Sequence, residues 1–188
     1  MRSIREPSSY APLAHFSCGG NSDYEVDADK AIKELLDLSD EECEEFEIRV
    51  AESPDSHALI GVTIFHERAL GPFSPAICLA LLAVGEPFRG WRMPDGATRV
   101  GTFLLCDALA QTKQIWGESM PVVWGNVHQD NGHCRRLLSS HRFWRLRGSS
   151  RDPSNPYYTH MRDAGVTWSH GFTQPAIEAV KEAREQQA

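Results

Sequence analysis

The chain has 188 residues, 41% of them apolar, and a formal net charge of −7. This length fits one domain with a substantial core, and no apolar run reaches the roughly 18 residues of a membrane-spanning helix. Five cysteines without a Cys-x-x-Cys pair favour neither a disulfide framework nor a zinc ribbon. The first residues lack the apolar stretch of a signal peptide, so we expect a cytoplasmic protein.

Charge is distributed unevenly along the chain. Residues 1–75 hold 16 acidic and 6 basic residues, whereas residues 76–188 hold 10 acidic and 13 basic ones. Two interpretations stay open: both charged regions are solvated faces, or the basic side meets phosphates while the acidic side attracts a cationic substrate. The basic excess is concentrated in six arginines: Arg135, Arg136, Arg142, Arg145, Arg147 and Arg151.

The first part of the chain predicts helices followed by strands. Residues 1–22 contain two prolines and two glycines and are expected to be irregular. Apolar residues at helical spacing predict a helix over Val26–Leu38, and a capping-box pattern predicts a short helix from Ser39. Alternation of apolar and polar residues predicts strands over Phe46–Ala51 and Ala58–Phe65.

The central part predicts a strand, a helix, a strand and a second helix. The apolar run Ile77–Val84 stops at a Gly-containing turn, and a helical pattern begins at Val100. A second apolar run, Pro121–Val127, leads into a short amphipathic helix that ends near Phe143.

The last part predicts two more strands, Phe143–Leu146 and Tyr157–Met161, joined by the polar segment Ser149–Pro156. A terminal helix is expected within residues 175–188. The whole order predicts an α/β (α+β) fold with a mixed, mostly antiparallel central sheet flanked by helices, in a single domain over residues 1–188.

Two junctions carry an informative set of residues. Arg89-Gly90 follows the strand Ile77–Val84, Arg99-Val100-Gly101 opens the next helix, and a segment from Asn131 to Phe143 follows the next strand. With the element order, these junctions resemble the GNAT N-acetyltransferases over Phe46 to Arg162, specifically a divergent bacterial branch with an extended turn. The resemblance implies acetyl-coenzyme A as co-substrate. No metal is expected, because the spacing of the nearby histidines and Cys134 fits no standard zinc site.

The resemblance implies a pyrophosphate site at the first junction. Most GNAT enzymes carry Arg/Gln-x-x-Gly-x-Gly/Ala there, whose backbone N–H groups bind phosphate at a helix N-terminus. In this chain twelve positions instead of five separate Arg89 from Gly101. The strand before the turn is expected to pair with pantetheine, with an N–H near Val84 polarising the thioester carbonyl. The expected cofactor residues are Leu82, Val84, Arg89, Arg92, Thr98, Arg99, Val100, Gly101, Thr102 and Asn131. The alternative is a surface loop that binds nothing.

The second junction departs from the family at the catalytic acid. Leu138 stands where many members place a tyrosine that protonates the leaving thiolate, and Arg142 replaces a usual Gly. We therefore consider Ser139 and Tyr157 as substitutes for this acid, with His141 and Tyr158 as further options. For the base that deprotonates the substrate ammonium we consider Glu86 and His128.

Three functional hypotheses follow. The first is an acetyl-CoA-dependent N-acetyltransferase acting on a small-molecule or peptide amine such as a polyamine, an antibiotic-like amine or a protein N-terminus. The second is a toxin-like enzyme that acetylates aminoacyl-tRNA, which the segment Phe16-Ser17-Cys18-Gly19-Gly20 favours and the negative net charge disfavours. The third is a non-catalytic protein that binds an acyl-CoA or a partner. A homodimer is a further expectation from the resemblance, and membrane association is not expected.

Overall fold

The computed structural model describes residues 1–4, 7, 10–53, 56–71, 73–117, 122–146 and 157–163, apart from the side chains of Asp40 and Asp163. The strands within this part are β1 (Arg2–Ile4), β2 (Glu47–Glu52), β3 (Leu59–Glu67), β4 (Ile77–Val84), β5 (Val122–His128), β6 (Trp144–Arg145) and β7 (Tyr157–Asp163). The helices are α1 (Ala11–Ala14), α2 (Asp23–Leu36), α3 (Asp40–Cys43), α4 (Val100–Trp116) and α5 (Gly132–Ser140). The predicted connection over 149–156, the predicted terminal helix, Arg147 and Arg151 lie outside the described residues.

The strands form one seven-stranded sheet in the order β1-β2-β3-β4-β5-β7-β6. Strand β2 pairs antiparallel with β1 and β3, and β7 pairs antiparallel with β5 and β6. Strand β4 pairs parallel with β5. The predicted α/β class and the mixed, mostly antiparallel sheet are therefore confirmed. Within the described residues, no helix is long and apolar enough to cross a membrane.

The chain forms two compact units, of which the first comprises Met1–His66 and Ala80–Ala110. Its core joins α1 and α2 to the sheet through residues such as Leu13, Ile32 and Val62. Successive side chains of a strand face opposite sides, so Ile48 and Val50 enter this core while their neighbour Arg49 points to the other face. The capping box predicted at Ser39 is confirmed, because the Ser39 N–H donates to Glu42 Oε2 at 2.9 Å.

The second unit comprises Glu67–Leu79 and Gln111–Ala188. Its core contains Phe73, Cys78, Trp124 and Met161. Trp124 is buried and its indole Nε1 donates to the carbonyl of Arg68 at 2.9 Å, so burial leaves this polar group satisfied. The core holds β5 between its neighbours β4 and β7 within this unit.

The prediction of an irregular segment over residues 1–22 is wrong at two places. Residues Arg2–Ile4 form β1, which adds to β2 through the pair Ser3–Arg49, and Ala11–Ala14 form α1. A strand of three residues is too short to show alternation, and it exists because β2 offers it a free edge. Pro12 stands in the first turn of α1, where a missing N–H costs nothing.

Candidate functional site

The C-terminal half of β4 presents one backbone edge away from β3. The Gly85 N–H donates to the Ile60 carbonyl of β3 at 2.8 Å. Because N–H groups alternate along a strand, those of Leu82 and Val84 point to the opposite edge. On that edge β4 pairs with β5, and within the described part of the chain the paired residues of β4 are Ile77 and Cys78. Leu82 and Val84 are half-buried, so the predicted pantetheine-binding positions lie on a partly accessible strand.

Glu86 follows β4 in a short 3-10 turn, Glu86–Phe88, and lies against the segment before α2. Its N–H donates to the Ser17 carbonyl at 3.1 Å. Its carboxyl group covers Gly19, since a Cβ placed on Gly19 would lie 2.1 Å from Glu86 Cδ. Glu86 is exposed, so its carboxylate is available to a substrate while its backbone is fixed.

The segment before α2 is itself held by Asp29. The Asp29 carboxylate accepts from Ser17 Oγ at 2.8 Å and from the Cys18 N–H at 2.7 Å. Burial, with the nearby Asp29 charge, raises the pKa of the Cys18 thiol to about 12, so this buried thiol stays protonated. No local sequence pattern indicates this clamp, because Asp29 lies on a helix and its partners lie on an irregular segment eleven and twelve positions earlier.

Arg89 does not extend freely towards a ligand. Its guanidinium pairs with the Glu25 carboxylate at 2.5 Å. Hydrogen bonds from Ser22 lower the pKa of Glu25, and Arg89 adds to this effect. Arg89 thus links the turn after β4 to the first turn of α2, and its predicted contact with phosphate requires that it leave or share Glu25.

Residues 91–99, which we call the extended turn, form a compact hairpin. Arg92 and Arg99 form an antiparallel bridge, closed by the bonds Met93 N–H to Thr98 O (2.7 Å) and Val100 N–H to Trp91 O (3.2 Å). The tip is a turn at Gly96, whose φ of 68° suits a residue without Cβ.

Side chains fix the tip of the extended turn as well. The Asp95 carboxylate accepts from the N–H groups of Ala97 and Thr98, both at 2.9 Å. The Thr98 hydroxyl also donates to this carboxylate. That bond has the largest effect in lowering the pKa of Asp95, and the two N–H bonds add to it. Arg92 Nη1 donates to the carbonyls of Gly96 and Ala97 at 3.2 and 3.0 Å. Arg92, predicted as a phosphate ligand, is therefore engaged inside the turn.

Helix α4 begins directly after the extended turn and offers three backbone donors. The five backbone N–H groups from Thr98 to Thr102 are the ones expected to bind phosphate. Two of them, those of Thr98 and Val100, donate to acceptors inside the turn. Within the described residues the remaining three, of Arg99, Gly101 and Thr102, donate to no protein acceptor. Unsatisfied N–H groups at the start of a 17-residue helix are donors of the kind that suit an anion.

The candidate residues of the second unit include His128, at the end of β5. His128 is buried, and its Nδ1 accepts from the Asp130 N–H at 3.2 Å. The neutral ring therefore carries its proton on Nε2, and a base role would require the other tautomer. Tyr157 is paired with His128 in register and packs edge-on against its ring at 5.2 Å.

Helix α5 places the remaining predicted residues. The Asn131 side chain caps the helix by accepting from the Cys134 N–H at 2.9 Å, so one oxygen of this residue has a structural role. Ser139 is exposed on the helix surface. Leu138, at the position of the family tyrosine, is only 2% exposed and belongs to the core. Among the described residues no His, Cys, Asp and Glu group is arranged to hold a metal ion.

Comparison with known proteins rests on structure alone. No protein-family model and no curated protein sequence matches the chain. A structure from Desulfovibrio desulfuricans, described as an acetyltransferase of the GNAT family, is 13% identical, with a TM-score of 0.60 over 87% of this chain and 97% of that one. The chain has the GNAT fold. At this identity the likeness establishes the fold and not the activity.

Two further solved structures are similar to this chain. A GNAT family acetyltransferase from Elizabethkingia anophelis with acetyl-CoA bound is 16% identical, with a TM-score of 0.51 over 77% of this chain and 92% of that one. A bacterial toxin is 16% identical, with a TM-score of 0.63 over 96% of this chain and 93% of that one. The likeness to the GNAT enzyme covers 77% of this chain, which supports the same fold over most of the sequence.

Proposed function

We propose that this protein is an acetyl-CoA-dependent N-acetyltransferase that transfers the acetyl group to a primary amine by direct attack on the thioester. The observation that carries the proposal is the set of N–H groups of Arg99, Gly101 and Thr102, which open α4 and meet no protein acceptor within the described residues. These donors suit the pyrophosphate of coenzyme A. The acetyl-CoA bound to the GNAT enzyme of Elizabethkingia anophelis supports the same ligand for this fold.

In this proposal the partly accessible edge of β4 binds the pantetheine arm. Leu82 and Val84 offer N–H and C=O groups on the edge that faces away from β3. A pantetheine amide can pair with these groups as an added strand does. An N–H at Val84 then polarises the thioester carbonyl, which lowers the barrier to attack.

Glu86 serves as the general base in this mechanism. Its carboxylate is exposed at the end of β4 and takes a proton from the substrate ammonium. The neutral amine nitrogen attacks the carbonyl carbon and forms the C–N bond, and the C–S bond breaks with release of coenzyme A thiolate. The nitrogen then loses its second proton to solvent, which leaves the neutral amide. Ser139 and Tyr157 stay proposals for the group that protonates the thiolate. Their role is secondary, because a thiolate is a good leaving group.

The acceptor we propose is a cationic amine, either a small molecule or a peptide. Glu86 is exposed beside the segment 16–20, and the carboxylate of Asp29 lies behind this segment. A surface with this charge raises the local concentration of cations. In the same region Arg89 pairs with Glu25, whereas Glu86 is exposed and its carboxylate can meet the ammonium group.

Calorimetric titration with acetyl-CoA tests the binding part of the proposal. Wild type is expected to bind in the micromolar range, and Gly101→Glu is expected to lose binding because it adds a negative charge at the three donors. Ala110→Glu is the matched control, since it adds the same charge at an exposed position on α4. Absence of binding in the wild type, or equal binding by both variants, would contradict the site.

A second candidate is a toxin-type enzyme that acetylates aminoacyl-tRNA. It is favoured by the likeness to the bacterial toxin over 96% of this chain and by four exposed arginines on and after α5: Arg135, Arg136, Arg142 and Arg145. Binding through these arginines would weaken steeply with salt, because phosphate contacts release counterions. Filter binding of aminoacyl-tRNA over a salt series separates the two candidates. If aminoacyl-tRNA does not bind even at low salt, the toxin-type candidate is excluded.

A further inference from the structure

The extended turn presents an aromatic ring that is largely exposed among the described residues. Trp91 is 58% exposed, and the other large apolar side chains that are exposed among the described residues, Val26 and Ile115, are aliphatic. The indole packs edge-on against Phe88, with ring centroids 5.3 Å apart and an interplanar angle of 77°. This contact orients the ring and leaves much of its surface open to a flat ligand.

Backbone hydrogen bonds hold Trp91 beside the start of α4. The Trp91 carbonyl accepts from the N–H of Val100, the first residue of the helix, at 3.2 Å. The Trp91 N–H donates to the Phe88 carbonyl, also at 3.2 Å. Asp95 and Arg92 hold the other end of the extended turn by hydrogen bonds, so Trp91 lies in a hydrogen-bonded hairpin that leads directly into the start of α4.

The chemistry of coenzyme A identifies an occupant for this ring. Its pyrophosphate carries pantetheine on one side and 3′-phosphoadenosine on the other. If pantetheine follows β4, the adenosine leaves the donors on another side, and an aromatic face and a cation are the groups it needs. Arg99 supplies an exposed cation next to these donors, where it can meet the 3′-phosphate. An aliphatic ligand would use the ring but not the charge.

We infer that Trp91 stacks on the adenine of acetyl-CoA and that Arg99 binds its 3′-phosphate, an inference that rests on the proposed function. The residues inserted between Arg89 and Gly101 then serve nucleotide recognition. They bind the part of the ligand that takes no part in the reaction, and they make affinity depend on the adenosine. Stacking of a base on an aromatic side chain corresponds to a loss of about tenfold in affinity when the ring is removed.

The test compares acetyl-CoA with S-acetyl-4′-phosphopantetheine, which lacks the 3′-phosphoadenosine. Trp91→Ala is expected to weaken acetyl-CoA binding about tenfold and to leave the shorter ligand unchanged. Trp91→Phe keeps an aromatic face and is expected to stay close to wild type. We expect 3′,5′-ADP to quench indole fluorescence in the wild type and to lose this effect in Trp91→Phe. Val26→Ala removes another exposed apolar side chain and serves as the control for folding and surface effects.

The outcomes separate this inference from the function on which it rests. If the wild type binds acetyl-CoA and Trp91→Ala binds it equally well, the stacking inference is wrong while the proposed function stands. The same holds if Trp91→Ala loses equal affinity for acetyl-CoA and for the shorter ligand. Failure of the wild type to bind acetyl-CoA overturns the proposed function as well. A tenfold loss confined to acetyl-CoA, with Trp91→Phe unaffected, supports the stacking site.

Discussion

Arg49 on β2 and Asp107 on α4 form an ion pair with two hydrogen bonds. Nε donates to Oδ2 at 2.5 Å and Nη2 donates to Oδ1 at 3.0 Å. The side chain of Arg49 is 8% exposed, and its guanidinium also donates to Ser3 Oγ at 3.0 Å. The pair therefore attaches α4, the helix that carries the proposed phosphate donors, to the sheet of the first unit.

Removal of the Asp107 carboxylate is expected to destabilise the protein. Asp107→Ala leaves the buried charge of Arg49 with Glu47, 3.8 Å away, as its remaining carboxylate. We expect the free energy of unfolding to fall by about 3 kcal/mol, as when one partner of a buried pair is lost. Urea denaturation measures this. The double variant Arg49→Met with Asp107→Leu removes both charges and is expected to recover most of the loss. Wild-type stability of Asp107→Ala would contradict the account.

Arg142 occupies a backbone conformation that favours glycine. Its φ is 66°, and it ends α5 with the bonds Arg142 N–H to Ser139 O and Phe143 N–H to Leu138 O, both 3.1 Å. The left-handed conformation costs a residue with Cβ about 1–2 kcal/mol, and glycine avoids this cost. Glycine also raises the conformational entropy of the unfolded chain, which offsets part of the gain. Arg142→Gly is thus expected to raise the free energy of unfolding by about 0.5 kcal/mol. Arg142→Ala, which keeps Cβ, is expected to gain nothing, and an equal gain in both variants would refute the explanation.

Gly19 controls the position of Glu86. A Cβ on Gly19 would overlap the Glu86 carboxyl group, so Gly19→Ala displaces that side chain. We expect Gly19→Ala to reduce acetyl transfer in the same direction as Glu86→Gln, which is expected to slow it about 100-fold, with acetyl-CoA affinity unchanged. Gly71→Ala is the matched control, because Gly71 also has positive φ but faces open space. Steady-state rates that match in Gly19→Ala and the wild type would argue against Glu86 as base.

His160 makes stability depend on pH. Burial, together with the nearby charges of Arg145 and Arg135, lowers the pKa of His160 below its ordinary value of 6.5. Below pH 6.5 His160 is therefore protonated in the unfolded chain but still neutral in the folded protein. The free energy of unfolding decreases as the pH falls from 6.5 to the lowered pKa of the folded state. Urea denaturation between pH 7.5 and about pH 5 should show a shallower decline for His160→Gln. Identical slopes would exclude His160 as the source.

Local sequence patterns predicted much of the fold. The apolar run Ile77–Val84 is strand β4 with the predicted bounds, and the helical pattern at Val100 is α4. The capping residues Ser39 and Glu42 act as their spacing indicated. These features depend on residues a few positions apart, so the sequence carries them directly.

The details of the candidate site depend on pairings that no local pattern contains. Glu25 and Arg89 are 64 positions apart, and their ion pair removes Arg89 from the free phosphate ligands. Arg92 was expected to reach outwards, but nearby carbonyls bind it once the extended turn folds into a hairpin. Leu138 stands at the position where the resemblance expects a tyrosine, and only the fold shows that this leucine belongs to the core.

Acetyl transfer to an amine can be measured by chromatography with mass spectrometry of reactions that contain acetyl-CoA and a panel of cationic amines. We expect free coenzyme A and an amine carrying one added acetyl group to form in equal amounts, and Glu86→Gln to slow the formation of both. Tight binding of acetyl-CoA without any acetylated amine, including a polyamine and a peptide N-terminus, would contradict the proposed function and leave a GNAT-fold protein that binds acyl-CoA without catalysis.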